Sequence, residues 1–292
     1  MAPKLQASLR SLLGDLLNFP IHHLLLNSIG GGSINQTFEL IVNHQQRFFA
    51  KMNSTTRFPA LFDLEVKGLS LLREQKIFRV PEIIAVTAIE ERQWLILEWI
   101  ETGIQTNKFW KSFGERLAIL HSFSNDHFGL NTDNYMGALK QSNKKSARWD
   151  QFFITERLQP QVKSALDSGL LEQKQVKHFD RLYQNLGDLF PLTNPSLLHG
   201  DLWSGNFICD QHSEPVLIDP ATYFGHAAMD LGLTELFGGF DDSFYQAYAA
   251  NFPLPSNFAA QREICRLYPL LIHLNLFGRS YLPAIKETIA RF

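Results

Sequence analysis

The sequence is poor in the features that mark several protein classes. Its two cysteines, Cys209 and Cys265, are too few for a disulfide framework. Their spacing is not that of a metal site, and such sparse cysteine suits a reducing cytoplasm. No uninterrupted apolar run is long enough to suggest a membrane span. The opening MAPKLQASLRSLLGDLL has the pattern of a short amphipathic helix. Polar Gln6, Ser8, Arg10 and Ser11 interrupt it, so it lacks the apolar stretch of a signal peptide. There is no long basic run, and the formal net charge is -2. Nucleic acid and anionic membrane are therefore poor candidates for the main partner. No internal repeat or low-complexity segment is visible. What remains is a 292-residue chain, 45% hydrophobic, large enough for two lobes that share a cleft.

The densest chemistry lies at residues 197–219, LLHGDLWSGNFICDQHSEPVLID. Asp201 and Asn206 have the spacing of the catalytic Asp and metal-binding Asn in the kinase loop H-x-D-x-x-x-x-N. A second acid, Asp219, comes after the apolar run Pro215-Val216-Leu217-Ile218. A strand there would carry Asp219 back beside Asn206. Phosphoryl transfer needs a carboxylate to orient the attacking hydroxyl and accept its proton, and oxygen ligands for Mg²⁺. Asp201 fits the first role; Asn206 and Asp219 fit the second. Gly200 and Gly205 allow a tight turn around phosphate. Taken singly, each of these residues reads as a turn or a strand-end cap. Their order and spacing together favour the chemistry.

Upstream, residues 24–26 lead into Gly30-Gly31-Gly32-Ser33, and residues 34–42 and 47–51 read as strands around the turn Asn43-His44-Gln45-Gln46. A glycine turn between strands can bring backbone N–H groups close to phosphate. GGGS matches neither G-x-G-x-x-G nor a P-loop, so by itself it reads as a hairpin turn, and its neighbours carry the phosphate reading. Lys51 closes the third strand, the place of a phosphate-binding lysine. Residues 58–75 read as a helix with Leu61, Leu64, Leu69 and Leu72 in an apolar stripe. Glu65 on that helix is spaced to pair with Lys51 and fix its ammonium against the phosphates. Strands over 83–89 and 94–97 come next. The rest reads as helical, over 108–123, 150–168, 171–189, 263–277 and 281–292, with a helix opening at Asp230. His121 reads as a packed, structural histidine.

HGDLWSGN and, downstream, IDPATYFGH resemble the fructosamine kinase (ketosamine-3-kinase) family, a branch of the aminoglycoside-phosphotransferase and choline-kinase type. FFAKMN and FDLEVKGLSLL resemble the family's small-lobe motifs, and the likeness covers nearly the whole chain. The resemblance implies an α+β, protein-kinase-like two-lobe fold. A small β-rich nucleotide-binding lobe would span residues 1–101, and a larger, mainly helical catalytic and substrate-binding lobe 102–292. It implies ATP and Mg²⁺ as cofactors and a cytoplasmic enzyme that phosphorylates the sugar 3-hydroxyl of a ketosamine, free or protein-bound, in deglycation. Asp201 would be the catalytic base, and Asn206 and Asp219 the metal ligands. Gly31, Gly32, Ser33, Lys51 and Glu65 would serve the nucleotide phosphates. The backbone of Glu98 and Ile100 would meet adenine at the hinge.

Trp203, the residue that points to ketosamine kinases among their relatives, either stacks on the acceptor or packs the loop. Residues 128–130 and 133–137 open a loop-rich insert that continues through Gln141 and Asn143 to residues 149–153. It resembles a family region that helps shape the acceptor site, though Trp149, Phe152 and Phe153 are residues more often found in a core. Asp230 matches a position that supports the catalytic loop. The chain departs from the family where Ala227 and Ala228 replace a usual Arg-Glu pair, and where Ser33 stands in place of a frequent cysteine. Three alternatives stay open: a kinase of another small hydroxyl acceptor such as an aminoglycoside, choline or homoserine; a non-catalytic nucleotide-binding module; or an interaction protein without a ligand.

Overall fold

The computed structural model of the chain describes residues 3–30 and 34–292. The opening helix, α1 (Pro3–Leu17), is succeeded by β1 (Leu24–Ile29), β2 (Gln36–Val42) and β3 (Gln46–Ser54). Next come α2 (Leu61–Glu74), β4 (Ile83–Ile89) and β5 (Arg92–Glu98). The strands form one antiparallel sheet in the order β1-β2-β3-β5-β4. Strand periodicity sorts its side chains. Phe48, Ala50 and Met52 of β3, with Trp94 and Ile96 of β5, face Leu9 and Leu13 of α1 and close a small core. Leu95 and Leu97 point the other way, into the main core with Phe62, Leu69 and Leu72 of α2. Lys51 shares the parity of Phe49, so alternation carries it to the cleft side of the sheet. Here β3 runs on to Ser54, so Lys51 sits within the strand and pairs with Leu95, where the sequence suggested a strand end.

The chain leaves the sheet after Glu98. Arg79 ties this crossing to the larger lobe: it donates to Asp210 at 2.8 Å and also pairs with Glu98. Gly103 N–H donates to Cys209 O at 2.8 Å. Beyond it lie α3 (Asn107–Ser122), the short hairpin β6 (Asn134–Met136) and β7 (Leu139–Gln141), and α4 (Trp149–Phe152). Thr106 caps α3 by accepting from Phe109 N–H. A π-helical turn, Phe153–Leu158, joins α4 to α5 (Gln159–Asp167). Pro160 accounts for it. Proline has no N–H for the carbonyl four residues back, that of Glu156. The Arg157 guanidinium donates to that carbonyl instead, at 3.1 Å.

Helix α6 (Gln173–Leu189) leads to the strand pairs β8 (Ser196–Leu198) with β11 (Tyr223–Gly225) and β9 (Phe207–Cys209) with β10 (Pro215–Leu217). Helices α7 (Ala228–Leu236), α8 (Asp242–Asn251), α9 (Phe258–Cys265), α10 (Leu267–Phe277) and α11 (Leu282–Arg291) complete the fold. The helix expected over 263–277 is divided at Arg266, because Pro269 disfavours the carbonyl geometry of Cys265 that one unbroken helix would need. Trp149, Phe152 and Phe153 are buried in the core, away from the cleft. No helix among the described residues is long and apolar enough to cross a membrane.

His226 is buried among Trp149, Phe190 and Phe258. Burial, with His121 nearby, pushes its pKa down to about 3. A base whose pKa falls on folding adds nothing to pH dependence above its unfolded value, near 6.5. Below that, the unfolded chain takes up the proton and the folded one does not, so stability falls between pH 6.5 and about 3. The buried acids Glu65 and Asp201, both raised, oppose this slope. The difference between wild type and His226→Gln therefore isolates the histidine. Denaturant unfolding of both from pH 7 to pH 4 should show the wild type losing more stability as the pH falls. Parallel curves would contradict the assignment.

Candidate active site

The catalytic stretch is held by backbone pairing. In the β9–β10 ladder Phe207 stands opposite Leu217, and Ile218 N–H donates to Asn206 O at 3.1 Å. Asp219 thus returns beside Asn206. Ala221 N–H donates to His199 O at 3.0 Å, so the two arms of the loop are tied on both sides of Asp219. Gly200 takes φ +85°, and a Cβ there would lie 2.1 Å from Ala221 O; only glycine fits. Asp219 itself takes φ 52°, a left-handed conformation that Asp tolerates better than most residues and that often marks a functional site.

A buried carboxylate anchors this loop from below. Asp230, near the start of α7, accepts from His199 N–H at 2.8 Å and Gly200 N–H at 2.9 Å. It also meets His121 Nε2 at 3.2 Å, while His121 Nδ1 is 2.8 Å from the Tyr248 hydroxyl. His199 Nε2 faces Ile218 O at 2.9 Å, and its Nδ1 faces Asp201 N–H at 3.2 Å. One partner is an acceptor and the other a donor, so the ring is neutral with its proton on Nε2. Burial, which pushes its pKa down, agrees.

Above the loop lies a cavity of about 450 Å³. Lys51 and Glu65 line it from the small lobe; Asp201, Trp203, Asn206 and Asp219 line it from the loop. Lys51 Nζ donates to Glu65 at 2.6 Å and to Asp219 on its other side. Burial opposes the Lys51 charge, but Asp219 and Glu65 outweigh it and its pKa is raised. Burial pushes the Glu65 carboxyl up, with Lys51 opposing and Asp219 adding to the rise. Burial also pushes Asp201 to about 7, against the hydrogen bond from Asn206 and with help from Asp219 and Asp230. A carboxylate with this pKa is well matched to take a proton near neutral pH.

The donor set suits a hard cation. Asn206 commits its amide nitrogen to Asp201, at 2.8 Å to the carbonyl and 2.9 Å to the carboxylate. Its amide oxygen is thereby left facing away, with no partner among the described residues. The Asp219 carboxylate is the second oxygen ligand on offer. No cluster of three or more His, Cys, Asp or Glu among the described residues could hold a metal alone. A site of one amide and one carboxylate oxygen fits Mg²⁺, which takes its remaining ligands from phosphate and water.

The fructosamine kinase family model matches residues 7–292. This chain belongs to the fructosamine kinase family. It is 37% identical to a Lactiplantibacillus plantarum protein named "Probable ketoamine kinase", covering 90% of this chain and 92% of the relative. It is 36% identical to the chloroplastic protein-ribulosamine 3-kinase of Arabidopsis thaliana, covering 88% and 78%. In three dimensions it is similar to a Thermobifida fusca protein provisionally named fructosamine-3-kinase: TM-score 0.85, 26% identity, 97% of both chains covered. The two-lobed, kinase-like fold is shared more widely, as with a type I macrolide 2'-phosphotransferase at TM-score 0.61.

As a member of this kinase family the chain brings Lys51, Glu65, Asp201, Trp203, Asn206 and Asp219 to one cavity. Glu98 and Ile100 lie at the crossing between lobes and do not line it. Gly31, Gly32 and Ser33 lie outside the described residues. Trp203 faces the cavity and sets its ring edge-on to Phe237, centroids 6.2 Å apart. Tyr135, Met136 and Gly137, part of the insert that resembles an acceptor-shaping region, line the cavity. Sequence reasoning missed the wall formed by His273, Leu276 and Phe277 of α10. The only signal for α10 was a histidine within an otherwise apolar run, LLIHLNLF.

Asp230→Asn tests the anchor. An amide keeps one oxygen and turns a donor toward the N–H groups of His199 and Gly200. The chain should lose about 1–3 kcal/mol of stability from the unsatisfied buried donors. Turnover should fall further than that loss of folded protein explains. Denaturant midpoint and turnover per folded molecule, measured on one preparation, check both.

Proposed function

We propose that this protein transfers the γ-phosphoryl group of ATP to the sugar 3-hydroxyl of a ketosamine. Membership of the fructosamine kinase family supports a phosphotransferase acting on a sugar alcohol. The observation that carries the mechanism is the convergence of one base, two oxygen ligands and one ion-paired lysine on a single cavity. In this reading Asp201 accepts a hydrogen bond from the acceptor hydroxyl, aims it, and takes its proton as the new P–O bond forms. Asn206 holds the Asp201 carboxylate in that orientation through its amide nitrogen. Lys51, fixed by Glu65, offers its ammonium to the phosphates. Asn206 and Asp219 would hold Mg²⁺, which supplies neutralisation of the charge on the transferring group. Most of the rate gain then comes from positioning and charge neutralisation.

The remaining assignments belong to the same reading. Residues 1–101 form the nucleotide-binding lobe, and residues 102–292 the catalytic and acceptor-binding lobe. Gly31, Gly32 and Ser33, outside the described residues, are assigned to nucleotide binding. Glu98 C=O and Ile100 N–H meet adenine where the chain crosses between lobes. Trp203 stacks on the acceptor, since an aromatic face can cover the apolar C–H surface of a sugar. The acceptor is a ketosamine on a small amine or on a protein; a relative named protein-ribulosamine 3-kinase is the reason to assay the protein-bound form. The reaction takes place in the cytoplasm, where Cys209 and Cys265, both free and buried, stay reduced.

The test is acceptor-dependent ADP formation with Mg-ATP and a panel of ribulosamine, erythrulosamine, fructosamine, an aminoglycoside and choline. ADP should form with the ketosamines; ADP with choline or the aminoglycoside alone would discard the substrate. Asp201→Asn should lose at least about 100-fold in turnover, the scale of general-base catalysis, while still binding ATP. Retained turnover removes Asp201 from the base role. Asp219→Ala should lose Mg²⁺-dependent nucleotide binding by calorimetry; unchanged binding would contradict the metal assignment.

A further inference from the structure

The β6–β7 hairpin touches both halves of the cavity. Its first residue, Asn134, donates to Thr222 O at 2.9 Å, three residues past Asp219. Gln141, at its far end, donates to Ala221 O at 3.2 Å and to Asn134 Oδ1 at 2.8 Å. The Tyr268 hydroxyl donates to Gln141 Oε1 at 2.9 Å, so this end is anchored in the core. Tyr135, the middle residue of β6, reaches the other way. The Tyr135 hydroxyl donates to Pro59 O at 3.2 Å, and its ring stands edge-on to Phe58 at 6.2 Å.

Pro59 lies just before α2, the helix that carries Glu65. The next residue, Ala60, has φ 58°. An alanine there is costly, so the chain is held in this entry to α2 by its surroundings. Ala60 offers no side-chain cap to the helix start; Phe62 N–H donates to Gln93 Oε1 at 3.4 Å instead. Farther along α2, Gly68 sits so close to the Asp219 segment that a Cβ would lie 3.2 Å from Thr222 Oγ1 and 3.3 Å from Pro220 Cγ. The contacts close a ring: Tyr135 to Pro59, α2 to Glu65, Glu65 to Lys51, Lys51 to Asp219, then Thr222 back to Asn134.

We infer that the hairpin is a strut between the acceptor side and the nucleotide side, and that Tyr135 is a positioning residue for the Lys51–Glu65 pair. It acts through Pro59 and the start of α2. Tyr135 also lines the cavity with Met136 and Gly137, so an acceptor resting against the hairpin steadies α2 and tightens Mg-ATP binding. The coupling runs both ways, because a free energy shared by two ligands is reciprocal.

This inference rests on the kinase reading, and the experiment separates the two. ADP formation by the wild type with a ketosamine, and Mg-ATP affinity with and without that ketosamine, establish the baseline. Tyr135→Phe removes one hydroxyl and keeps the ring. The expected result is a rise of about 2- to 10-fold in KM for Mg-ATP, the scale of one neutral hydrogen bond. The acceptor's affinity measured without nucleotide and the melting temperature should stay near wild type, and the acceptor's effect on Mg-ATP affinity should shrink. Combined with Glu65→Gln, the Tyr135→Phe effect should largely vanish, since both act on one lysine. Full additivity overturns the inference. So does a change confined to acceptor KM, which makes Tyr135 a direct acceptor contact, or a lower melting temperature with unchanged constants, which makes it structural. Hydrogen exchange supplies a readout independent of turnover: amides at the start of α2 should exchange faster in Tyr135→Phe, and those of α11 should not. If the wild type makes no ADP, the kinase reading fails. Unchanged exchange in α2 would still sink the strut.

Discussion

One buried cation organises the cleft. Lys51 is 1% exposed and is held between Glu65 of the small lobe and Asp219 of the large one. An ammonium so placed is costly unless paired, and removing one partner of a buried pair commonly costs about 3–5 kcal/mol. The requirement therefore propagates. Helix α2 must present Glu65 to the sheet, β3 must present Lys51 to the cleft, and the chain must turn through φ 52° to present Asp219. Surface ion pairs such as Lys163 with Asp167 impose nothing comparable, because water can replace either partner.

A second constraint lies beneath the loop. Asp230 accepts two consecutive backbone N–H groups and a histidine, fixing the peptide planes just before Asp201. A carboxylate is the residue type for that task, since it offers acceptor sites in several directions and no donor. Arg157 is its counterpart in the core. It is fully buried and meets no carboxylate within ion-pair distance among the described residues. Its guanidinium donates to Asn143 Oδ1 at 2.7 Å and to Ser142 O, and lies 4.1 Å from the Tyr223 ring centroid. Carbonyl oxygens and ring faces offset the desolvation of this charge. The same residue satisfies the carbonyl orphaned by Pro160, so a proline, a π-helical turn and a buried arginine form one unit.

Much of the catalytic stretch was legible because it is local. Asp201, Asn206 and Asp219 lie within 19 residues, and one hairpin joins them. Glycine at 200 and the apolar run before Asp219 each have one economical explanation. The sheet was legible through alternation, and α2 through its leucine stripe. What stayed hidden was contributed by distant elements. Tyr135 reads as one residue of a loop, and its hydroxyl finds Pro59 only in the folded chain, 76 positions away. His273 and Phe277 sit in an apolar helix whose pattern says only that it is buried. The aromatics at 149–153, equally prominent in sequence, turned into the core. Hydrophobicity reports that a ring leaves water, and is silent on whether it enters the core or a cavity wall.

The sequence by itself determined which chemistry the chain carries. Lys51 and Glu65, then Asp201, Asn206 and Asp219, the proposed base and oxygen ligands, appear in fixed order, because phosphoryl transfer admits few residue types and the loop that holds the last three is short. It also determined the lobe order and most of the strands and helices, because these arise from local periodicity, proline and glycine. Only the tertiary structure decided which face of the cavity each outlying residue serves. The position of α10 and the path of the hairpin to Pro59 depend on how elements far apart in sequence pack. Packing is settled by shape and by the pairing of buried polar groups across the whole molecule, which no single stretch of sequence contains.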